Sequence, residues 1–363
     1  MSSPVSEQHA SATMSKSTKI ALTVLLAIGL LVLPFLVKNY RVFQFNLVLV
    51  YAIAVLGLNI LTGFNGQISL GHGAFYAVGA YAAAILMDKA GLPYWATLPL
   101  AGVVCFVVGW LMGFPALRLG GHYLALATYA FALAIPQLLK YKQIEGLTGG
   151  VQGIVLVKPE PPISFRFLGQ PFNADRWLYV FTLAVAALMF WLAYNLLRGR
   201  VGRALIAIRD HPIAATAMGI NLPFYKSMAF GVSAAFTGVA GALGAVVVAF
   251  VSPDSFSVFL SITFLVGVVI GGLASIPGAI FGAIFIQFVP NFADEISKAA
   301  PWAIYGAVLI GVMYVMPGGV MGLLKGLWAR RSAATARRAP AAHPAPVAGS
   351  APATLPTPAN VRQ

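Results

Sequence analysis

The chain alternates between apolar runs of about 18 or more residues and short polar connections. At 1.5 Å per residue such a run crosses a hydrocarbon core of about 30 Å, and in lipid only a helix satisfies its own backbone hydrogen bonds. The runs predict spans at roughly 20–37, 44–62, 69–87, 95–117, 121–139, 177–197, 225–251 and 302–324. Between the last two lies an apolar stretch, 256–293, too long for one helix and interrupted at Gly271-Gly272-Leu273-Ala274-Ser275-Ile276-Pro277. Two spans joined by a tight turn fit it better than one, although a re-entrant segment stays open. The pattern therefore predicts an all-α integral membrane protein of about ten transmembrane helices. The first run follows a polar segment, 1–19, and ends without a small-x-small cleavage site, so it reads as a retained span, making 20–324 the membrane domain.

Composition agrees with this reading: 60% of residues are hydrophobic and only 9% are charged, too few to cover a soluble domain of this size. Charge then orients the spans, because Lys and Arg are retained on the cytoplasmic side. With ten spans and both ends inside, 14 of the 23 basic residues fall on the inner side with only Glu7 and Asp210 as acids. The net charge of +14 is thus a matter of topology, and no nucleic-acid partner is expected. The residues beyond Leu324 form a basic Ala/Pro-rich tail, 325–363, whose composition cannot bury a core from about Ser332 onward and predicts disorder.

Two polar stretches interrupt the hydropathy. One, 140–176, is predicted outside and contains Gly149, Gly150 and Gly153, which lack the Gly-Lys-Ser/Thr of a phosphate loop, so the chain has no ATP site of its own. The other, 198–224, is predicted inside. Its apolar positions Leu205, Ile206 and Ile208, then Ile213, Ala214, Ala217 and Met218, recur at helical spacing. Asp210 and Pro212 suit the start of a second short helix and Gly219 its end, which gives a two-helix elbow. The elbow reads either as a surface loop packed on its own helices or as a docking surface with Ala214, Ala215 and Met218 as anchors and Arg203 and Arg209 as a charged rim.

Polar side chains inside the apolar pattern concentrate in one place. Asn65, Gln67, Ser69 and His72 stand among Gly71, Gly73 and Gly79. For Gln67 and Ser69, packing and pathway lining both fit, and His72 alone reads first as a structural residue. The faces Gly267-x-x-x-Gly271 and Gly278-x-x-x-Gly282 predict close helix contacts. Cys105 is a lone core residue, and no His/Cys/acid grouping suggests a metal or an enzyme. Apart from Lys226 at the inner edge of 225–251, none of the predicted spans holds a charged residue, which weighs against an ion-coupled secondary transporter, the alternative class.

The run Leu58 to Phe75 resembles the signature of the branched-chain amino acid permease family of ATP-binding-cassette importers. Gly121–Phe131, Leu147–Ile154, Arg203–Leu222 and Leu265–Gly282 resemble its LivM-type members in the same order. The resemblance implies a multi-pass permease in the cytoplasmic (inner) membrane of a bacterium, without catalytic residues or cofactors. It also implies a second, homologous permease, two cytoplasmic ATPase subunits and an extracytoplasmic solute-binding protein as partners. On that reading Asn65, Gln67, Ser69 and His72 belong to the substrate pathway, and Arg203, Arg209, Asp210, Ala214, Ala215, Met218 and Gly219 to ATPase coupling. Relatives in the family move urea, amides or aromatic acids, so the solute stays open. His211 and Thr216 stand where the family often has acidic residues, and the tail is not part of the family pattern.

Overall fold

A computed structural model describes residues 25, 28–118, 121–162, 166–167, 170–296 and 301–338. The predicted segment 1–19 and the tail beyond 338 lie outside the described residues, as does most of the start of the first predicted span, which is helical over 28–36. Contacts divide the chain into two compact units, 12–324 and the two ends, 1–11 with 325–363. The larger unit is built from α1 (Asn39–Asn59), α2 (His72–Asp88), α3 (Tyr94–Arg118), α4 (His122–Leu139) and α5 (Ala174–Arg198). They are followed by the short α6 (Arg200–Asp210) and α7 (Pro212–Ala217), then α8 (Leu222–Val248), α9 (Val258–Gly271), α10 (Gly278–Ile296) and α11 (Pro301–Val315). A last helix, α12, runs Gly319–Arg338. Residues 332–338, where composition predicts disorder to begin, are thus helical, because Ala and Arg are strong helix formers and no proline interrupts them before Pro340.

Among the described residues five helices are long and apolar enough to cross a membrane, or six if Tyr123–Leu139 and Lys142–Thr148, bent by 58°, form one span. The ten expected from hydropathy are not confirmed by this count, and the first of them begins outside the described residues. Two of the uncounted helices are short, α2 with 17 residues and α9 with only 14, their run ends being drawn into polar turns. A helix of 14 residues is about 21 Å long and does not cross the core alone.

Packing is organised around α1 and α8, which are buried along most of their length, whereas α5 and the final span bury little. Glycine explains how α8 approaches its neighbours so closely. A Cβ on Gly241 would overlap the carbonyl oxygen of Tyr76, and one on Gly79 would overlap the backbone of Gly238. Without a hydrophobic drive between helices in lipid, such backbone-to-backbone approach supplies dispersion contacts that larger side chains would prevent. The same device closes the α9–α10 hairpin: Gly271 meets Gly278, and Gly282 meets Gly267, so the two small-residue faces read from the sequence pack on each other.

At one end of the bundle, β1 (Ile154–Val155) pairs antiparallel with β4 (Phe250–Val251), and β2 (Arg166–Phe167) with β3 (Gln170–Pro171). Lys140 forms an ion pair with Asp254 at 2.5 Å there. Gly149, Gly150 and Gly153 adopt φ values of 70°, 55° and 76°, so they serve a backbone turn that L-residues rarely make. Arg176, fully buried, donates to the carbonyls of Pro34 and Pro171 and to Asn173 Oδ1.

Candidate functional site

The signature segment begins where α1 ends in a single π-turn, Ile60–Phe64. The preceding Asn59 is buried and spans 216 positions to bond the turn between α9 and α10, donating to Ser275 O at 2.9 Å and accepting from Ala274 N at 3.0 Å. Gly63 lies against this carboxamide, with no room for a Cβ. Gly66, at φ 75°, then lets the chain reverse into the extended loop that precedes α2. Hydroxyls from other helices hold the loop: Leu70 N donates to Thr128 Oγ1 of α4 at 2.9 Å, and Gly73 N donates to Ser261 Oγ of α9 at 2.8 Å. Thr62 Oγ1 closes it internally by donating to Gln67 O at 3.1 Å.

The four polar residues of this segment fall into two pairs. Ser69 and His72 are completely buried and fully engaged. His72 Nε2 lies 2.6 Å from Ser233 Oγ of α8, and Ser233 Oγ donates to Gly57 O at 2.6 Å. Because a carbonyl can only accept, the Ser233 proton is committed to Gly57, and His72 Nε2–H must be the donor to Ser233. His72 Nδ1 is then the acceptor for the Ser69 hydroxyl, 3.1 Å away, while Ser69 Oγ accepts from Gly71 N at 3.2 Å. The chain runs from the loop through a neutral imidazole to the α1 backbone, and each polar atom has a partner.

Asn65 and Gln67 differ. They are 3% and 7% exposed, yet both atoms of each carboxamide lack a hydrogen-bond partner among the described residues. Both residues line a cleft of about 180 Å³ whose other walls include Arg209, Lys226, Ile208 and Pro212. The segment and the elbow, which the sequence presents as separate features, are therefore two walls of one space. They are also bonded: Arg209 Nη1 donates to Gly63 O at 3.0 Å, and its stem packs against Gly66. Arg209 Nε meanwhile pairs with Asp210 Oδ1 at 2.9 Å.

The elbow has the predicted helix–turn–helix form with two amendments. Asp210 is the last residue of α6 and not the start of α7, with its carboxylate paired to Arg209, and His211 is the residue that precedes α7. Ala215 is 3% exposed and packs against its own chain, at the floor of a groove whose lining includes the exposed Ala214 and Met218. Ile213 and Met218, 89% and 83% exposed, present the free apolar surface, with Ala214 beside them. Gly219, at φ 83°, ends α7: its N–H donates to Thr216 O at 2.9 Å and that of Ile220 to Ala215 O at 3.0 Å, a paired C-terminal cap that needs the left-handed residue. Arg203 is exposed and donates to Arg198 O at 3.3 Å.

Among the described residues no three His, Cys, Asp or Glu side chains gather as a metal site. Cys105 is buried with Sγ 3.4 Å from Phe75 O. Residues that sequence reasoning passed over are Asn59, Thr128, Lys226, Ser233 and Ser261. Each is a single polar position in or beside an apolar run, and polarity within a run is the one signal that could have found them.

Comparison with known proteins agrees with the geometry. Residues 41–317 match the family described as the permease component of branched-chain amino acid transport systems. The chain is 35% identical over 307 residues to the high-affinity branched-chain amino acid transport system permease protein LivM of Salmonella typhimurium, covering 79% of this chain and 71% of that protein. It is 35% identical over 320 residues to LivM of Escherichia coli, covering 82% and 74%. Against LivH of Escherichia coli it is 27% identical over 299 residues, covering 75% and 91%. No solved structure matches the chain. With three quarters of its length matched by the family and 35% identity to two of its members, this multi-pass helical chain belongs to the branched-chain amino acid transport permease family.

Proposed function

We propose that this chain is one of two homologous permease subunits of an ATP-driven importer, carrying branched-chain amino acids handed over by an extracytoplasmic binding protein across a bacterial inner membrane. Two cytoplasmic ATPases supply the energy, and the chain contributes no ATP site of its own. The observation that carries the reading is the bond from Arg209 to Gly63 O, which joins the elbow to the polar segment of the bundle. A force applied at the exposed Ile213 and Met218 enters the membrane domain through that bond.

On this reading the elbow and both termini face the cytoplasm and 140–176 faces outward. The end-to-end sorting of contacts supports it. Pro34 meets Arg176, Lys140 meets Asp254 and Ile154 meets Val251, whereas Gly63 meets Arg209 and Asn59 meets Ser275. The first set joins segments that alternate to one side of the membrane and the second set those that alternate to the other.

The test is reconstitution with the second permease, the ATPases and the binding protein in liposomes. ATP-dependent uptake of L-leucine is the expected result. Uptake by this chain alone, driven by a proton or sodium gradient, would overturn the proposal, as would uptake that needs no ATPase.

A further inference from the structure

We infer that the cleft between Asn65, Gln67, Arg209 and Lys226 is a binding site for the ammonium–carboxylate headpiece of a small α-amino acid, the last station before release. The inference rests on the subunit reading above and adds the residues and the chemistry to it.

Four buried amide atoms without partners are the starting point. Leaving a buried donor or acceptor unmade is costly, and native folds rarely tolerate two whole carboxamides in that condition within three residues. Each carboxamide offers one donor end and one acceptor end. A zwitterionic amino acid needs both, acceptors for its ammonium and donors for its carboxylate. A simple anion would leave the two carbonyl ends unmatched, and a simple cation the two amino ends.

Charge sets which end of the zwitterion lies where. Arg209 and Lys226 both line the cleft; Arg209 is already paired with Asp210, whereas Lys226 has no ion-pair partner among the described residues. A half-buried lysine facing two unfilled carboxamides holds a carboxylate more strongly than it would at an open surface. Volume fits as well. At about 30 Å³ per water, a space of about 180 Å³ takes some six waters, or the headpiece of one amino acid.

The carboxamides are sealed in this conformation, and the wall that seals them is the elbow, strapped to the segment through Arg209 and Gly63. A shift of the elbow that parts this bond opens the cleft, so the element through which the ATPases act also controls access to the site.

The experiment is equilibrium binding of L-leucine to the assembled transporter, both permeases and both ATPases, in nanodiscs without nucleotide or binding protein. Competitors are leucinamide, which keeps the ammonium but lacks the carboxylate, 4-methylpentanoate, which lacks the ammonium, and inorganic phosphate. Saturable binding is expected, with Lys226→Gln and Gln67→Met each weakening it about tenfold or more, Lys226→Arg restoring most of it, and leucinamide and phosphate failing to compete. Competition by 4-methylpentanoate should be present but weaker than by leucine. Because Gln67 is buried, Lys226→Gln at the half-buried wall decides the matter if Gln67→Met fails to assemble. Leucine binding unchanged in Lys226→Gln, no binding at all, or displacement by phosphate as effective as by leucine would overturn the inference; the last would make the cleft an inorganic-anion or lipid-headgroup site. ATP-driven leucine uptake by the unmodified complex separates the two readings. Uptake that proceeds at the same rate in Lys226→Gln leaves the subunit assignment standing and removes the site, whereas no uptake at all removes the assignment.

Discussion

Within eight positions of one loop lie two pairs of buried polar side chains with opposite economies. Ser69 and His72 are matched atom for atom by Gly71 N, Ser233 and, through it, Gly57 O. Asn65 and Gln67 are also buried, yet matched by nothing among the described residues. The first pair ties α1, α2 and α8 together, and its polar groups are all consumed in doing so. The second pair retains its full bonding capacity beside a cleft bounded by two basic residues. A satisfied buried network argues for structure, and an unsatisfied one for something that arrives.

Substitution at the matched pair should produce the largest change. His72→Leu leaves the Ser69 O–H without its acceptor and Ser233 Oγ without its donor at the helix crossing, which should cost about 3 kcal/mol or more, visible as a fall in thermal midpoint and in the yield of the folded permease in detergent. An unaltered midpoint would erase the distinction between the pairs. Next in size is Met218→Glu on the exposed elbow, which puts a carboxylate into the docking contact. ATPase copurification should weaken by roughly 2 kcal/mol, about thirtyfold, while the permease itself melts as before. Retained copurification and normal ATP hydrolysis would move the docking site elsewhere. Gly219→Leu belongs with it as an indirect version, since it strains the left-handed cap that positions Met218.

The strap gives a smaller effect on stability and a clear one on coupling. Arg209→Gln removes the Gly63 bond from a side chain that is one-third exposed, a loss of roughly 1–2 kcal/mol once screening is discounted. ATP hydrolysis should continue while leucine uptake per ATP falls, and a normal ratio would mean that movement enters by another route. The smallest change is the most diagnostic in sign. Gln67→Met keeps volume and apolar contact but deletes two unpaired buried atoms, so the thermal midpoint should rise, by about 1 kcal/mol equivalent, as transport declines. A fall in stability comparable with that of His72→Leu would show that Gln67 has partners after all.

Much of this architecture was legible in the chain. Unbroken apolar runs announce helices in lipid because the backbone has no other solution there, and the break at Gly271–Pro277 announced the α9–α10 hairpin because glycine and proline punctuate helices. The small-residue faces of Gly267, Gly271, Gly278 and Gly282 were visible as i, i+4 pairs, and so was the elbow, from the spacing of its apolar residues and from Pro212 and Gly219. Helix lengths were less legible. Hydropathy cannot tell whether Gly71 or Ile68 belongs to a span or to the loop that precedes it, and α2 and α9 came out shorter than their runs. The inward turn of Ala215 was hidden for a related reason: in a six-residue helix a single position decides which face is covered, and the covering surface comes from outside it.

By itself, then, the sequence determined the helical class, the membrane as solvent, the polar segment at 65–72 and the elbow at 200–217, since each follows from residue type at short range. Only the tertiary structure decided that Ser233 completes the His72 chain from 161 positions away and that Arg209 reaches Gly63 across 146. The same holds for the lack of a partner for Asn65 and Gln67 among the described residues. Whether a buried polar group is satisfied depends on what distant helices place beside it, and local spacing along the chain carries no record of that.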